Sequence, residues 1–180
     1  MRWLGWLKKS GTEADEVVRT WRTDWNAAAD APDAARAADL RARLTALGPD
    51  SDEREIEREM LEALEALVEL AAEVEATGPP RIVTGHKAAG ADQCHFAAPA
   101  SLPDDPAHPA GTLLLTSSRA VFVGGSQSIA MPWHAVTSCA RAERDLLLAG
   151  RSVAHRVRCN SYNDALRAQF LARHLSRRSR

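Results

Sequence analysis

The segment from Gly111 to Cys139 constrains the fold of this chain more than any other. Its residues, GTLLLTSSRAVFVGGSQSIAMPWHAVTSC, alternate short apolar runs with turns that contain serine or glycine. This spacing is typical of strands joined by tight connections. We predict strands at 112–117 and 119–124, and a shorter strand from Ile129 to Trp133 that continues to about Ala140. Strands joined so closely pair antiparallel, so the segment predicts an antiparallel sheet.

The sequence Thr77-Gly78-Pro79-Pro80 separates two regions with different apolar periodicity. Before it, apolar residues recur every three or four positions, which predicts helices. After it they alternate, which predicts strands. We therefore expect a helical region at 1–78 and a β domain at 79–180.

Three helices are predicted in the first region. The first begins at a capping box of Thr12 and Asp15 and reaches about Ala29. The second covers about 33–47 and ends at Gly48-Pro49, because proline cannot continue a helix.

The third helix is predicted to begin at a cap formed by Asp50 or Ser51. Its main apolar stripe runs from Ile56 to Val74, and further apolar residues lie off that stripe: Leu61, Val68 and Leu70. A helix with two apolar edges needs neighbours on both sides. The helical region is therefore a candidate oligomerisation element, and we expect self-association as one outcome.

The β domain is predicted to contain four further strands and one helix. The strands are 81–88, 93–101, 145–149 and 153–160, which gives about seven in all. Ser161 and Asp164 are expected to cap the final helix, whose apolar stripe includes Leu166, Phe170 and Leu171. The fold class is therefore α+β, a bent antiparallel sheet capped by a C-terminal helix and preceded by a helical region.

Several of these residues resemble the pleckstrin-homology (PH) superfamily, in particular GRAM and bacterial PH-like domains. The pair Gly111–Thr116 and Arg119–Gly124 looks like the G-x-L-x-x-T-x-x-R-x-x-F strand pair of these domains. Met131–Val136 resembles the strand that follows, and Asn160–Ala165 the polar cap before the final helix. The resemblance covers about 79–176. It implies a binding module for membrane lipids or for proteins. The inositol-lipid binders carry clustered basic residues around their first two strands, whereas that region here offers only Arg81, His86 and Lys87.

Composition narrows the class of protein. Apolar residues make up 45% of the chain and charged residues 26%, with a formal net charge of −1, which argues against a general nucleic-acid binder. No apolar run reaches the length of a membrane helix, and MRWLGWLKK is too short for a signal peptide. We expect a cytoplasmic protein that can be peripheral to a membrane. Arginine outnumbers lysine strongly and alanine is abundant, which is typical of a GC-rich bacterial genome.

Charge is unevenly distributed along the chain. Residues 50–76 carry nine excess negative charges and residues 151–180 seven excess positive charges. The N-terminal segment combines tryptophans with basic residues, a combination that suits a membrane interface. The predicted membrane or partner contacts are therefore the following: Trp3, Trp6, Lys8, Lys9, Lys87, Arg156, Arg158, Arg173, Arg177 and Arg178.

Catalytic and metal sites are not predicted. Cys94 and His95 would face opposite sides of one strand, so they cannot bind one ion with His86 unless a bulge intervenes. We expect a core cysteine beside a surface histidine, and we expect His155 to be partly buried. No nucleotide, hydrolase or metalloprotease motif occurs, so no cofactor is expected.

The sequence thus predicts a non-catalytic binding or scaffolding protein whose PH-like module recognises a protein segment or an anionic membrane surface. One alternative is a homo-oligomeric structural protein in which the module only packs. A weaker alternative is a thiol enzyme that uses Cys94 or Cys139. The chain contains three cysteines, an odd number at wide spacing, so no disulfide framework is implied.

Overall fold

The N-terminal helices pack around two buried tryptophans. The structure is a computed structural model that describes residues 4–48, 54–107, 109–125 and 128–179, the side chains of residues 4–14 excepted. The helices are α1 (Leu4–Asp30), α2 (Ala34–Ala46) and α3 (Glu55–Thr77). The indole N–H of Trp21 donates to the carbonyl of Leu40 at 2.9 Å. That of Trp25 donates to the carbonyl of Met60 at 2.6 Å. Each ring thus fills the core while its polar atom is satisfied.

Two predicted helix starts can be compared with the structure. Asp33 caps α2 as predicted, by accepting from the backbone N–H of Arg36 at 2.9 Å. The capping box at Thr12 was wrong, because α1 already begins at Leu4 and contains Thr12 and Asp15. Gly5 and Gly11 cost a helix only about 1 kcal/mol each, too little to stop it. The proposed caps of α3, Asp50 and Ser51, lie outside the described residues.

The chain divides into two compact units, Met1–Val68 and Glu69–Arg180, with the boundary inside α3. In the first unit Glu57 is buried and accepts from Nε of Arg22 at 2.8 Å. Leu61 and Leu70, which lie off the main stripe of α3, are buried in the single chain. Val68, the third residue of this edge, is only partly buried.

The second unit contains seven antiparallel strands and one helix. The strands are β1 (Cys94–Ser101), β2 (Ala110–Thr116), β3 (Arg119–Gly124), β4 (Ser128–Pro132), β5 (Ser138–Ala142), β6 (Asp145–Ala149) and β7 (Ala154–Cys159), followed by α4 (Tyr162–Arg178). Their order in the sheet is β4-β3-β2-β1-β7-β6-β5. The α+β class and the capping helix were predicted correctly. This strand order with a terminal helix is the layout expected of a PH-like fold.

The β2–β3 hairpin depends on close backbone approach and on one hydroxyl. A Cβ on Gly111 would lie 2.2 Å from the carbonyl oxygen of Val123, so only glycine fits there. At the opposite end, Thr116 Oγ1 donates to the carbonyl of Arg119 at 3.0 Å and accepts from its N–H at 3.2 Å. Thr116 therefore shapes the turn of the hairpin, whereas Gly111 lies inside β2 and allows the close approach to β3.

Helix α4 covers the core of the sheet. Ser161 caps it by accepting from the N–H of Asp164 at 3.0 Å, as predicted. Leu166 and Leu171 are fully buried, whereas Phe170 is only partly buried. The apolar stripe therefore faces the sheet, and its larger aromatic residue lies at the margin.

Two strand predictions were wrong: one predicted strand is absent, and another is divided into two. Residues 81–88 form no strand: an isolated bridge joins Ile82 to Cys94, and a 3-10 turn covers Lys87–Ala89. The strand predicted from Ile129 to Ala140 is two strands, interrupted by a 3-10 turn at Trp133–Ala135. Pro132 has no N–H to donate, and buried Trp133 is held by its indole N–H, 2.8 Å from the carbonyl of Thr116. The number of strands remains seven.

Candidate binding site

Strand β5 lies at one edge of the sheet. Within the described strands it pairs with β6 alone, from Ser138 opposite Ala149 to Ala142 opposite Asp145. The carbonyl of Cys139 accepts from Nε of Arg173 on α4, at 3.1 Å. A side chain of the helix thus reaches the backbone of this edge strand. An edge with outward-pointing backbone groups is a template for another strand.

A groove of about 200 Å³ separates β5 from α4. Helical spacing places three of its lining residues on one face of α4: Arg173, Ser176 and Arg177. The opposite wall is the chain leading into β5, where the Thr137 hydroxyl donates to the carbonyl of Ala149 at 3.0 Å. The described residues that line the groove include two arginines and no carboxylate, so this part of the groove is polar and positively charged. Its volume suits one or two side chains and is smaller than a drug-sized pocket.

The predicted contacts Arg173, Arg177 and Arg178 are distributed over two sides of α4. Arg173 and Arg177 line the groove beside β5. Arg178 lines a different cleft together with Arg81 and His95. The sequence predicted that the C-terminal end of α4 is basic. It did not assign the arginines to faces of the helix, although the spacing of Arg173, Ser176 and Arg177 indicates one shared face.

Arg156 and Arg158 form ion pairs with the buried carboxylate of Asp145. Asp145 is 3% exposed, and it accepts from Nε of Arg156 at 2.6 Å and from Nε of Arg158 at 2.7 Å. Burial raises the pKa of Asp145, but the hydrogen bonds and charges of Arg158 and Arg156 outweigh it, so that pKa is lowered overall. Arg156 also lies 3.4 Å from Asp104. The structure thus shows an internal ion-pair cluster at two positions that the sequence assigned to partner contact.

Of the remaining predicted contacts, only Lys87 has a described side chain. Lys87 is exposed in the 3-10 turn. Trp3 lies outside the described residues. Trp6, Lys8 and Lys9 lie in α1, but their side chains are not described. Their role as membrane or partner contacts remains a prediction.

The basic residues typical of inositol-lipid binders are missing from the strands that the structure places first. Strands β1 and β2 contain neither lysine nor arginine. The connection between them, 102–109, includes Asp104 and Asp105. The first strand was predicted at 81–88 but is β1, so the first two strands carry even fewer basic residues than the sequence predicted.

The histidine beside Cys94 is not at the surface, contrary to the sequence-based expectation. His95 is 7% exposed, and a bulge between Cys94 and Phe96 allows both Cys94 and His95 to be buried. The Nδ1 atom of His95 lies 2.7 Å from the carbonyl of Pro80, so this nitrogen carries the proton. His155 is partly buried, as predicted. Among the described residues no three potential ligands converge on a metal site.

All three thiols are held in their neutral form. Burial raises the pKa of Cys94. It raises the pKa of Cys139 to about 11, and that of Cys159 to about 12. The thiolate is the nucleophile in thiol chemistry, so none of the three has the environment of an activated cysteine.

No helix in the described part of the chain is both long and apolar enough to cross a bilayer.

Comparison with known proteins adds little beyond the fold. No protein-family model and no curated protein matches the chain. The C-terminal domain of an unknown protein from Leishmania infantum is similar at 8% identity, with a TM-score of 0.40, over 60% of this chain and 94% of that one. The DH/PH domains of PDZ-RhoGEF, in complex with GTP-γ-S-activated RhoA, are similar at 10% identity and a TM-score of 0.44, over 94% and 55%.

A DH/PH fragment of PDZ-RhoGEF in complex with human RhoA is similar at 14% identity, with a TM-score of 0.41, over 80% of this chain and 45% of that one. The chain thus spans about half the length of the DH/PH fragments it matches. At these scores the likeness assigns no function. The description of the fold therefore rests on the strand order and the terminal helix.

Proposed function

We propose that the β unit is a non-catalytic binding module that takes up an extended, acidic protein segment along the open edge of β5. The observation that carries this proposal is the position of Arg173 and Arg177 beside that edge. An extended peptide can add to a sheet edge through backbone hydrogen bonds, while a neighbouring groove selects its side chains.

Binding exchanges one hydrogen bond for another. A peptide N–H takes the carbonyl of Cys139, which accepts from Arg173 at 3.1 Å in the free protein. The positive charges of Arg173 and Arg177, which both line the groove, then attract a carboxylate of the peptide. Acidic residues on the face of the peptide toward α4 therefore favour binding.

Two further observations support a binding module. The raised pKa values of the three thiols weigh against the thiol-enzyme alternative. The close strand approach at Gly111 and the turn formed by Thr116 support a relation to GRAM-like domains. The homo-oligomeric alternative remains a prediction: Leu61 and Leu70 are buried within one chain, whereas Ile56 is 50% exposed.

The proposal is tested with a fluorescent peptide of alternating Glu and Val, titrated with the full chain at low ionic strength. We expect an increase in anisotropy with a Kd of about 10–100 µM. The same peptide with alternate backbone amides N-methylated keeps its side chains but cannot pair with β5, so it should not bind. A Lys–Val peptide should bind at least about tenfold more weakly.

Matched variants locate the site. Arg177→Gln is expected to weaken binding, whereas Arg151→Gln, an exposed arginine outside the groove, is expected to leave it unchanged. Equal binding of the N-methylated peptide, or no binding of the Glu–Val peptide at all, would refute the proposed function.

A further inference from the structure

A second cleft, separate from the β5 groove, lies at the C-terminal end of α4. Its volume is about 520 Å³. It is lined by basic and hydroxyl side chains together with a few apolar or glycine positions, and none of its described lining residues carries a carboxylate. The polar and charged members are Thr77, Arg81, His95, Ser117, Arg178 and Ser179.

The two arginines of this cleft have no ion-pair partner among the described residues. Arg81 and Arg178 are both exposed, whereas the other basic groups near the sheet, such as Arg156 and Arg158, are paired with Asp145. Two guanidinium groups that converge on one cavity without a carboxylate repel each other. An anion between them relieves that repulsion.

The surroundings confirm that positive charge accumulates here. His95 donates through Nδ1 to the carbonyl of Pro80, which fixes the ring at the cleft wall. The Nε2 atom of His174 is buried without a hydrogen-bond partner among the described residues. Burial lowers the pKa of His174, and the nearby charges of Arg178, His95 and Arg177 lower it further. An uncompensated positive field of this kind favours a doubly charged anion over a singly charged one.

We propose that the cleft binds a phosphate monoester, with Arg81 and Arg178 bound to its oxygens and the hydroxyl of Ser117 donating to it. Arginine matches the geometry of phosphate oxygens, and hydroxyl donors complete the shell. The site lies outside the β5 groove and takes a different ligand, so it does not depend on the proposed function.

The phosphate can belong to a soluble molecule or to a lipid headgroup. Val83, two residues beyond Arg81, is fully exposed to solvent. A fully exposed apolar side chain next to a phosphate-binding arginine is suited to insertion among lipid headgroups. Both sources share the phosphomonoester, and the test separates them.

The experiment is an NMR titration of the full chain with inorganic phosphate, against chloride at matched ionic strength. We expect phosphate-specific shifts at Ser117, His95 and the end of α4, saturating in the millimolar range or below. The double variant Arg81→Gln/Arg178→Gln should weaken binding by at least about tenfold. Arg177→Gln, one position away but in the other groove, should keep phosphate binding and lose peptide affinity.

Vesicles identify the source of the phosphate. Sedimentation with phosphatidic acid vesicles, absent with phosphatidylcholine and lost in Val83→Asp, assigns a lipid headgroup. Phosphate binding without sedimentation assigns a soluble monoester. The proposal is overturned if phosphate causes no more shift than chloride, or if the double variant binds phosphate as the parent does. Because Arg177→Gln removes a groove residue and leaves both arginines of this cleft in place, failure of this site and failure of the β5 groove give different results.

Discussion

Nε of Arg173 donates to the carbonyl oxygen of Cys139 at 3.1 Å, which joins the terminal helix to the open edge of the sheet. This one bond both satisfies an edge carbonyl and holds a positive charge beside it. It therefore contributes to stability in the free protein and to selectivity when a strand is added.

Replacing Arg173 by Ala is expected to lower the free energy of unfolding by about 1 kcal/mol, because the Cys139 carbonyl loses its partner but remains accessible to water. The midpoint of thermal unfolding should fall by about 2–4 °C. Arg177→Ala, on the same face of α4, is the control and should leave stability unchanged. Equal unfolding curves for Arg173→Ala and the parent would show that the bond is not formed in solution.

Replacing Gly111 by Ala should destabilise the β unit by about 3 kcal/mol, because the new Cβ would meet the carbonyl oxygen of Val123 at 2.2 Å and separate β2 from β3. Gly125→Ala is the matched control, since a Cβ there meets nothing within 4 Å. It should be neutral or slightly stabilising. Urea unfolding measures both, and similar midpoints for the two variants would contradict the strand register.

Replacing Asp145 by Asn should lower the free energy of unfolding by about 1–2 kcal/mol at pH 7. The loss is limited because Arg156 and Arg158 are partly exposed and water can solvate them. The pKa of Asp145 is lowered in the folded chain, so its contribution is present above the unfolded pKa of about 4 and is lost as pH falls through the folded value.

The difference between parent and Asp145→Asn should therefore shrink under acid conditions. Asp104→Asn, which removes only a 3.4 Å contact between exposed groups, should change stability by less than about 0.5 kcal/mol. A difference between parent and Asp145→Asn that stays constant down to low pH would rule out ionised Asp145 as its source.

The thiols should react slowly in the native protein. A rise in the pKa of Cys139 from 9.0 to about 11 lowers its thiolate fraction about a hundredfold near neutral pH. Labelling by a disulfide reagent at pH 8 should therefore be at least that much slower in the folded chain than in urea. Rapid labelling of one thiol in the folded chain would contradict its raised pKa and support the thiol-enzyme alternative.

His174 should titrate below the ordinary histidine range, because burial and three neighbouring positive groups, Arg178, His95 and Arg177, disfavour its protonation. The unfolded chain, with a pKa of about 6.5, takes up the proton first, so stability falls as pH drops through that value. His174→Gln should remove part of this loss. Histidine NMR signals measure the pKa, which should rise when phosphate fills the cleft. A normal pKa that phosphate does not change would contradict the inferred positive field.

Much of the fold followed from local patterns. The change of periodicity at Thr77-Gly78 placed the transition from helices to strands, and Ser161 marked the start of α4. The wrong strand at 81–88 had apolar residues at suitable spacing, but only Ile82 has a partner there. A strand needs a neighbour with free backbone groups along its whole length, and spacing along one chain does not report that neighbour.

The sequence by itself determined most of the helical and strand segments and the basic character of the C-terminal helix. These depend on periodicity, backbone sterics and charge, which are properties of neighbouring residues. Only the tertiary structure decided that Arg156 and Arg158 bind Asp145, that Arg177 and Arg178 line different cavities, and that His95 is buried. The reason is physical: the partner of a charged side chain is set by which distant residues the packed sheet and helix bring within a few ångströms, and no local pattern encodes that distance.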